Sequence, residues 1–126
     1  MKNLIGWAEI PVEDMDRAQK FYEKVFDVEL EREMIEGSDN AWFPWDDDEE
    51  GAGASLIKDK DYMPSKDGIL VYFKSPSGDL DEDLKRIEEA GGKIVQGKMS
   101  MGEDWGMYAV FMDTEGNKLA ISQHKK

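Results

Sequence analysis

Cysteine is absent from the 126 residues and histidine occurs once. The first absence removes disulfides, thiolate metal sites, iron–sulfur ligation and cysteine nucleophiles. The second is nearly as restrictive: zinc, nickel and non-haem iron sites usually draw on two or more imidazoles, and the lone His124 sits in a Gln-His-Lys-Lys tail. No metal and no cofactor is therefore expected. Long apolar runs are missing too, since no stretch approaches the roughly 18 residues of a membrane span, and Met1–Gly6 is too short in its apolar run for a signal peptide. A cytoplasmic protein without a membrane partner is the expectation. Basic residues are scarce, 16 Lys and Arg against 29 Asp and Glu for a net charge of −13, and such a surface repels nucleic-acid backbones.

What is present fits one domain with a core of its own, 40% hydrophobic and 36% charged. The acidic excess is uneven: residues 1–66 carry 8 basic and 18 acidic side chains, residues 67–126 carry 8 and 11. Much of it is the run Asp46-Asp47-Asp48-Glu49-Glu50. That run lacks the alternating spacing of an EF-hand loop and reads as a solvated hairpin tip closed by Gly51.

Leu4–Val12 reads as a strand ending at Pro11. Asp14 then caps a helix whose Met15, Ala18, Tyr22 and Val25 fall at steps of three and four, widened by Phe21 and Phe26 and stopped at Asp27. Alternation predicts a strand over Val28–Met34, followed by strands over Asn40–Trp45 and Ala52–Ile57. The order then repeats. Ile69–Phe73 is a strand, Asp79 caps a second helix as half of a capping box with Glu82, and Gly91-Gly92 ends it. Strands follow at Lys93–Met99, Trp105–Met112 and Asn117–Gln123. Asp14 matches Asp79, and the turn Asp48–Gly51 matches Asp113–Gly116, both at an offset of 65, whereas the first strands align nearer 63. The halves divide the domain into residues 1–62 and 63–126.

Several segments carry a family resemblance in their order and spacing. They are Trp7 to Ala18 with Phe21-Tyr22 and Phe26 following, Asp79-Leu80-Asp81, Glu89 to Val95, and Asp113-Thr114-Glu115-Gly116-Asn117. Together they resemble the vicinal oxygen chelate superfamily of glyoxalases, bleomycin-resistance proteins and extradiol dioxygenases. The resemblance implies an α+β fold of two βαβββ modules curling into an open, half-barrel cavity, with a homodimer often completing the pocket. Metal-using members supply ligands from the first and fourth strand of each module. Carried onto this chain, those places hold Trp7, Ser55, Leu70 and Ala120, none of which ligates as His or Glu does. The Lewis-acid chemistry of the enzymatic relatives is therefore not expected here.

Strand alternation puts Trp7 and Glu9 on one face, and Leu70 and Tyr72 on the equivalent face of the second half. An aromatic wall with one carboxylate results, extended by Trp42, Trp45, Trp105 and Tyr108. Aromatic faces stack on rings and attract cations, so the expected ligand is a small aromatic or cationic molecule held by Trp7, Glu9, Ser55, Leu70, Tyr72, Trp105 and Ala120. Three other readings stand beside it. The aromatics are core filling and Glu9 a structural partner of Tyr72 or a lysine. Glu9 is the acid or base of a lyase or isomerase acting on a small carbonyl compound, or carboxylates recruit a metal. The chain is an interaction module whose cavity its own side chains fill. Met99, Met101, Met107 and Met112 read as core or as pocket lining, and Met99–Trp105, flanked by Gly97, Gly102 and Gly106, reads as a flap. The Asp113–Asn117 turn is expected to be a hairpin turn and nothing more.

Overall fold

The computed structural model describes residues 3–124. Two helices and eight strands follow one another as βαβββ twice over, and the strands form two four-stranded mixed sheets. In the first sheet β1 (Trp7–Pro11) lies parallel to β4 (Gly53–Lys58), and β3 (Ser38–Trp42) and β2 (Glu31–Ile35) complete the order β1-β4-β3-β2. The second sheet repeats this as β5-β8-β7-β6, with β5 (Tyr72–Lys74), β6 (Lys93–Ser100), β7 (Met107–Met112) and β8 (Lys118–Gln123). Glu9 pairs with Ser55 and Tyr72 with Ala120, so the register carries the 63- and 65-residue offsets read from the sequence.

Helix α1 (Met15–Phe26) forms where the spacing places it. The Asp14 carboxylate accepts from the Arg17 N–H at 3.1 Å, and Asp27 ends the helix in the left-handed region, at φ 54°. Its whole apolar stripe, Met15, Ala18, Phe21, Tyr22 and Val25, is buried. That face joins the two sheets into one core: Phe21 and Tyr22 meet Phe111 and Phe73 of the second half, and Phe26 lies 4.7 Å from Phe73 between ring centroids.

Helix α2 (Leu80–Glu89) departs from its expected start. The Asp79 side chain accepts from Asp81 N–H, but Glu82 pairs with Arg86 instead of reaching back, and the Asp79 N–H donates to Ser77 Oγ. No capping box forms, because Ser77 already satisfies the amide that Glu82 would take. At the other end Gly92 is pressed into the core: a Cβ there would stand 2.8 Å from Ile87, from Phe21 and from the backbone oxygen of Met112. Overpacking of this kind costs about 1–3 kcal/mol, so Gly92→Ala is expected to lower the unfolding free energy measured in urea by that amount.

Several strand limits differ from the sequence reading. Leu4 and Ile5 precede β1 and are exposed, and β2 begins at Glu31 rather than Val28. The strand β5 has only three residues, though the Ala120 N–H still donates to the Val71 carbonyl. Met101 and Gly106 close the loop between β6 and β7 with a 2.9 Å backbone bond. Among the described residues no helix is long and apolar enough to cross a membrane.

Candidate functional site

Neighbouring strands share faces by register. In the first sheet Ile10, Ala41 and Leu56 face the helices and enter the core, so Trp7, Glu9, Trp42 and Ser55 face the other way. In the second sheet Phe73, Ala109, Phe111, Leu119 and Ile121 enter the core, which leaves Tyr72, Tyr108, Val110 and Ala120 on the opposite face. The strands β1 and β5 are each paired on one side only. Along their seam runs a cleft of about 1020 Å³, with Trp7 and Glu9 on one wall, Leu70 and Tyr72 on the other, and Phe26 and Phe73 reached at its depth.

Trp7 lines the first wall, and Trp42 and Trp45, which do not reach the cleft, pack against it. Trp7 donates from Nε1 to Ser55 Oγ at 3.2 Å and lies between Trp42 and Trp45, with ring centroids 5.2 and 5.8 Å away. Close packing is possible because the strand beneath is Gly53, where a Cβ would stand 2.5 Å from the Trp7 ring and 2.6 Å from Trp45. The Trp42 Nε1 is buried without a hydrogen-bond partner. On the second wall Tyr72, half exposed, meets Tyr108 at 6.1 Å, and Gln96 donates to the Tyr108 hydroxyl.

Of the residues singled out from the sequence, Trp7, Glu9, Leu70 and Tyr72 thus line one cleft. Ser55 lies beneath Trp7 and is 1% exposed, and Ala120, paired with Tyr72, is fully buried. Trp105 lies in the Met101–Gly106 loop and does not line the cleft. The sequence places it as the first residue of a strand over Trp105–Met112, but β7 begins only at Met107. The Glu9 carboxylate makes no hydrogen bond or ion pair among the described residues, and Tyr72 packs at a tilt on Tyr108, so the structural Glu9–Tyr72 contact does not form. At the four places where metal-using relatives carry ligands, Leu70 and Ala120 offer only carbon and the Ser55 hydroxyl is engaged by Trp7. Among the described residues no group of three or more His, Cys, Asp or Glu could hold a metal ion.

One set of residues was passed over in the sequence. The Asp113–Asn117 turn is no simple hairpin tip, for it clasps the first module to the second. Glu115 is buried; its Oε1 accepts from Glu13 N–H at 2.9 Å, Asp14 N–H at 2.7 Å and Arg17, and its Oε2 accepts from Arg17 Nε at 2.7 Å. Asp113 accepts from the buried Tyr22 hydroxyl at 2.6 Å, and Asn117 donates to the Pro11 carbonyl at 2.7 Å. Pro11 and Ser65, the partners of Asn117, flank the cleft, so this network fixes the separation of its walls. The acidic turn at the equivalent place in the first half is exposed, and the Lys74 ammonium holds it by the Glu50 carbonyl at 3.1 Å.

Burial raises the Tyr22 hydroxyl pKa well above its ordinary range, and the charge of Asp113 adds to that. For Glu115 burial opposes the charge, but Arg17, the Asp14 and Glu13 amides and the Thr114 hydroxyl outweigh it and hold the carboxyl below its usual value. A folded value below the unfolded one contributes stability above the ordinary carboxylate range, near about 4.3, and the contribution is lost as pH falls through the folded value. Urea unfolding followed from pH 7 downward is expected to show stability falling below about pH 5, with a shallower fall in Glu115→Gln.

The fold and cleft can now be compared with known proteins. The chain belongs to the Glyoxalase/Bleomycin resistance protein/Dioxygenase superfamily, whose family model matches residues 4–121. Among solved structures it is similar to a glyoxalase/bleomycin resistance protein from Albidiferax ferrireducens T118, at TM-score 0.72 and 13% identity over 98% of this chain and 100% of that one. It is also similar to the fosfomycin resistance protein FosX from Listeria monocytogenes, at TM-score 0.71 and 15% identity over 99% and 95% of the chains. TnmS3, an antibiotic binding protein from Streptomyces sp. CB03234, matches at TM-score 0.67 and 20% identity over 99% of both chains. A search of curated proteins gives no significant match.

Proposed function

We propose that this protein binds a small aromatic or cationic molecule in the cleft between β1 and β5, without a metal ion. The observation that carries the reading is the juxtaposition of Trp7 and Tyr72 with the unpartnered carboxylate of Glu9 along one apolar cleft. Aromatic faces contribute about 0.5–2 kcal/mol per contact to a cation or a ring, and Glu9 adds charge complementarity. The donor set supports the metal-free half of the proposal: a divalent cation finds no usable lone pair at Trp7, Leu70 or Ala120, and a lone serine hydroxyl is a feeble ligand. An antibiotic binding protein among the similar structures fits a sequestering role.

The partner in this reading is a second copy of the chain. Ile5, Met63 and Ile69 stand around the cleft at 70%, 66% and 93% exposure, and an apolar rim of this kind marks an interface. Native mass spectrometry of freshly purified protein tests these points together. A dimer carrying an organic molecule and no stoichiometric metal is expected. A stoichiometric transition metal that disappears in Glu9→Gln would favour the enzymatic alternative, as would chemical turnover of the bound molecule.

A further inference from the structure

The charges along the cleft are sorted by sign. On the face that carries Trp7, register places Glu9, Glu31 and Glu33 and no basic residue of β1–β4; on the face that carries Tyr72 it places Lys74, Lys93 and Lys118, and the strands β5–β8 hold no acidic residue on either face. In a chain of net charge −13, a sheet face bearing only lysines is a departure from composition. The charged residues lining the cleft itself follow the same division, with Glu9, Glu49 and Glu50 from the first half and Lys74 and Lys118 from the second. Lys74 is engaged with the Glu50 carbonyl. Glu9 and the Lys118 ammonium have no partner among the described residues, and no ion pair joins them, so they stand farther apart than an ion-pair contact.

We infer that the cleft selects a dipolar ligand, one with a cationic group for Glu9, an anionic group for Lys118 and a flat apolar body between Trp7 and Tyr72. This rests on the small-molecule reading above and adds the anionic end to it. Glu9 is exposed and Lys118 half-buried at the edge of a mainly apolar cleft, and a ligand seated there takes water from both charges, so that opposite charges attract more strongly than in bulk water. A ligand with a cation alone leaves Lys118 dehydrated and unpaired beside its apolar body, and a ligand with an anion alone does the same to Glu9. Each mismatch costs affinity. A zwitterion compensates both.

Three matched indoles separate the possibilities: tryptophan, which is dipolar near neutral pH, tryptamine, a cation, and indole-3-propionate, an anion. Each is titrated calorimetrically, up to millimolar concentration, into the full chain and into Glu9→Gln and Lys118→Gln. Tryptophan is expected to bind at least tenfold more tightly than either companion. Glu9→Gln is expected to weaken tryptophan and tryptamine at least fivefold and to tighten indole-3-propionate, whose mismatch it removes; Lys118→Gln is expected to weaken tryptophan and indole-3-propionate and to tighten tryptamine. Tryptamine binding as tightly as tryptophan, with Lys118→Gln without effect, overturns the dipolar inference and leaves the small-molecule reading intact. Binding of none of the three overturns both.

Discussion

Replacing Glu115 by Ala is expected to destabilise the protein by about 2–3 kcal/mol, the range for losing hydrogen bonds to a buried carboxylate whose ionic partner is half exposed. The carboxylate accepts from two backbone amides at the start of α1 and from both the Nε and Nη2 of Arg17, so its loss leaves two partly buried amides without acceptors and a half-exposed guanidinium without its counter-charge. All of these partners lie in the other half of the chain, and the loss therefore loosens the seam between the sheets as well as one helix end. For a domain of this size the thermal midpoint should fall by on the order of 5–15 °C. Glu115→Gln retains an acceptor for the amides and is expected to fall between the two. Equilibrium urea unfolding checks both values. A loss below about 1 kcal/mol for Glu115→Ala would mean that the turn merely rests on α1.

None of that clasp was legible in the sequence, and the reason is distance along the chain. Arg17 and Glu115 are separated by 98 positions, and nothing local to Asp113–Asn117 distinguishes a turn that reaches across the molecule from one that only reverses direction. The offset of 65 did pair this turn with Asp48–Gly51. It does not reveal that Arg17 in α1 is matched by Glu82 in α2, a residue that offers a carboxylate no donor. The helices were readable because caps and apolar periodicity are local properties. Strand limits were less so: β5 is short because its length is decided by where β8 runs beside it, not by the apolar run Ile69–Phe73. Trp7, Glu9 and Tyr72 were legible as a shared face because alternation is rigid within a strand. Trp105 reads in the sequence as the start of a strand, and only the backbone bond between Met101 and Gly106 shows that the loop extends past it.

The second large effect belongs to Trp7. Trp7→Ala removes the middle ring of three, together with the Nε1 donation to the buried Ser55 hydroxyl, and takes away one wall of the cleft. Binding of a cationic aromatic probe is expected to weaken by about tenfold or more, the equivalent of 1.4 kcal/mol, because a single aromatic face contributes up to about 2 kcal/mol to such a ligand. Trp7→Phe preserves a ring but not the donor to Ser55 and should retain part of the affinity. Trp105→Ala, away from the cleft, is expected to leave binding unchanged. Equal losses in Trp7→Ala and Trp105→Ala would place the ligand elsewhere.

Recognition in this reading is by stacking and charge, without a metal ion. Its most direct test is calorimetric titration of an aromatic probe into protein treated with a strong chelator, repeated after adding back Mn²⁺, Ni²⁺, Zn²⁺ or Fe²⁺. Saturable binding with the same affinity in every arm, and its loss in Trp7→Ala, is the expected result. Binding that vanishes on chelation and returns with one of the ions would contradict the account.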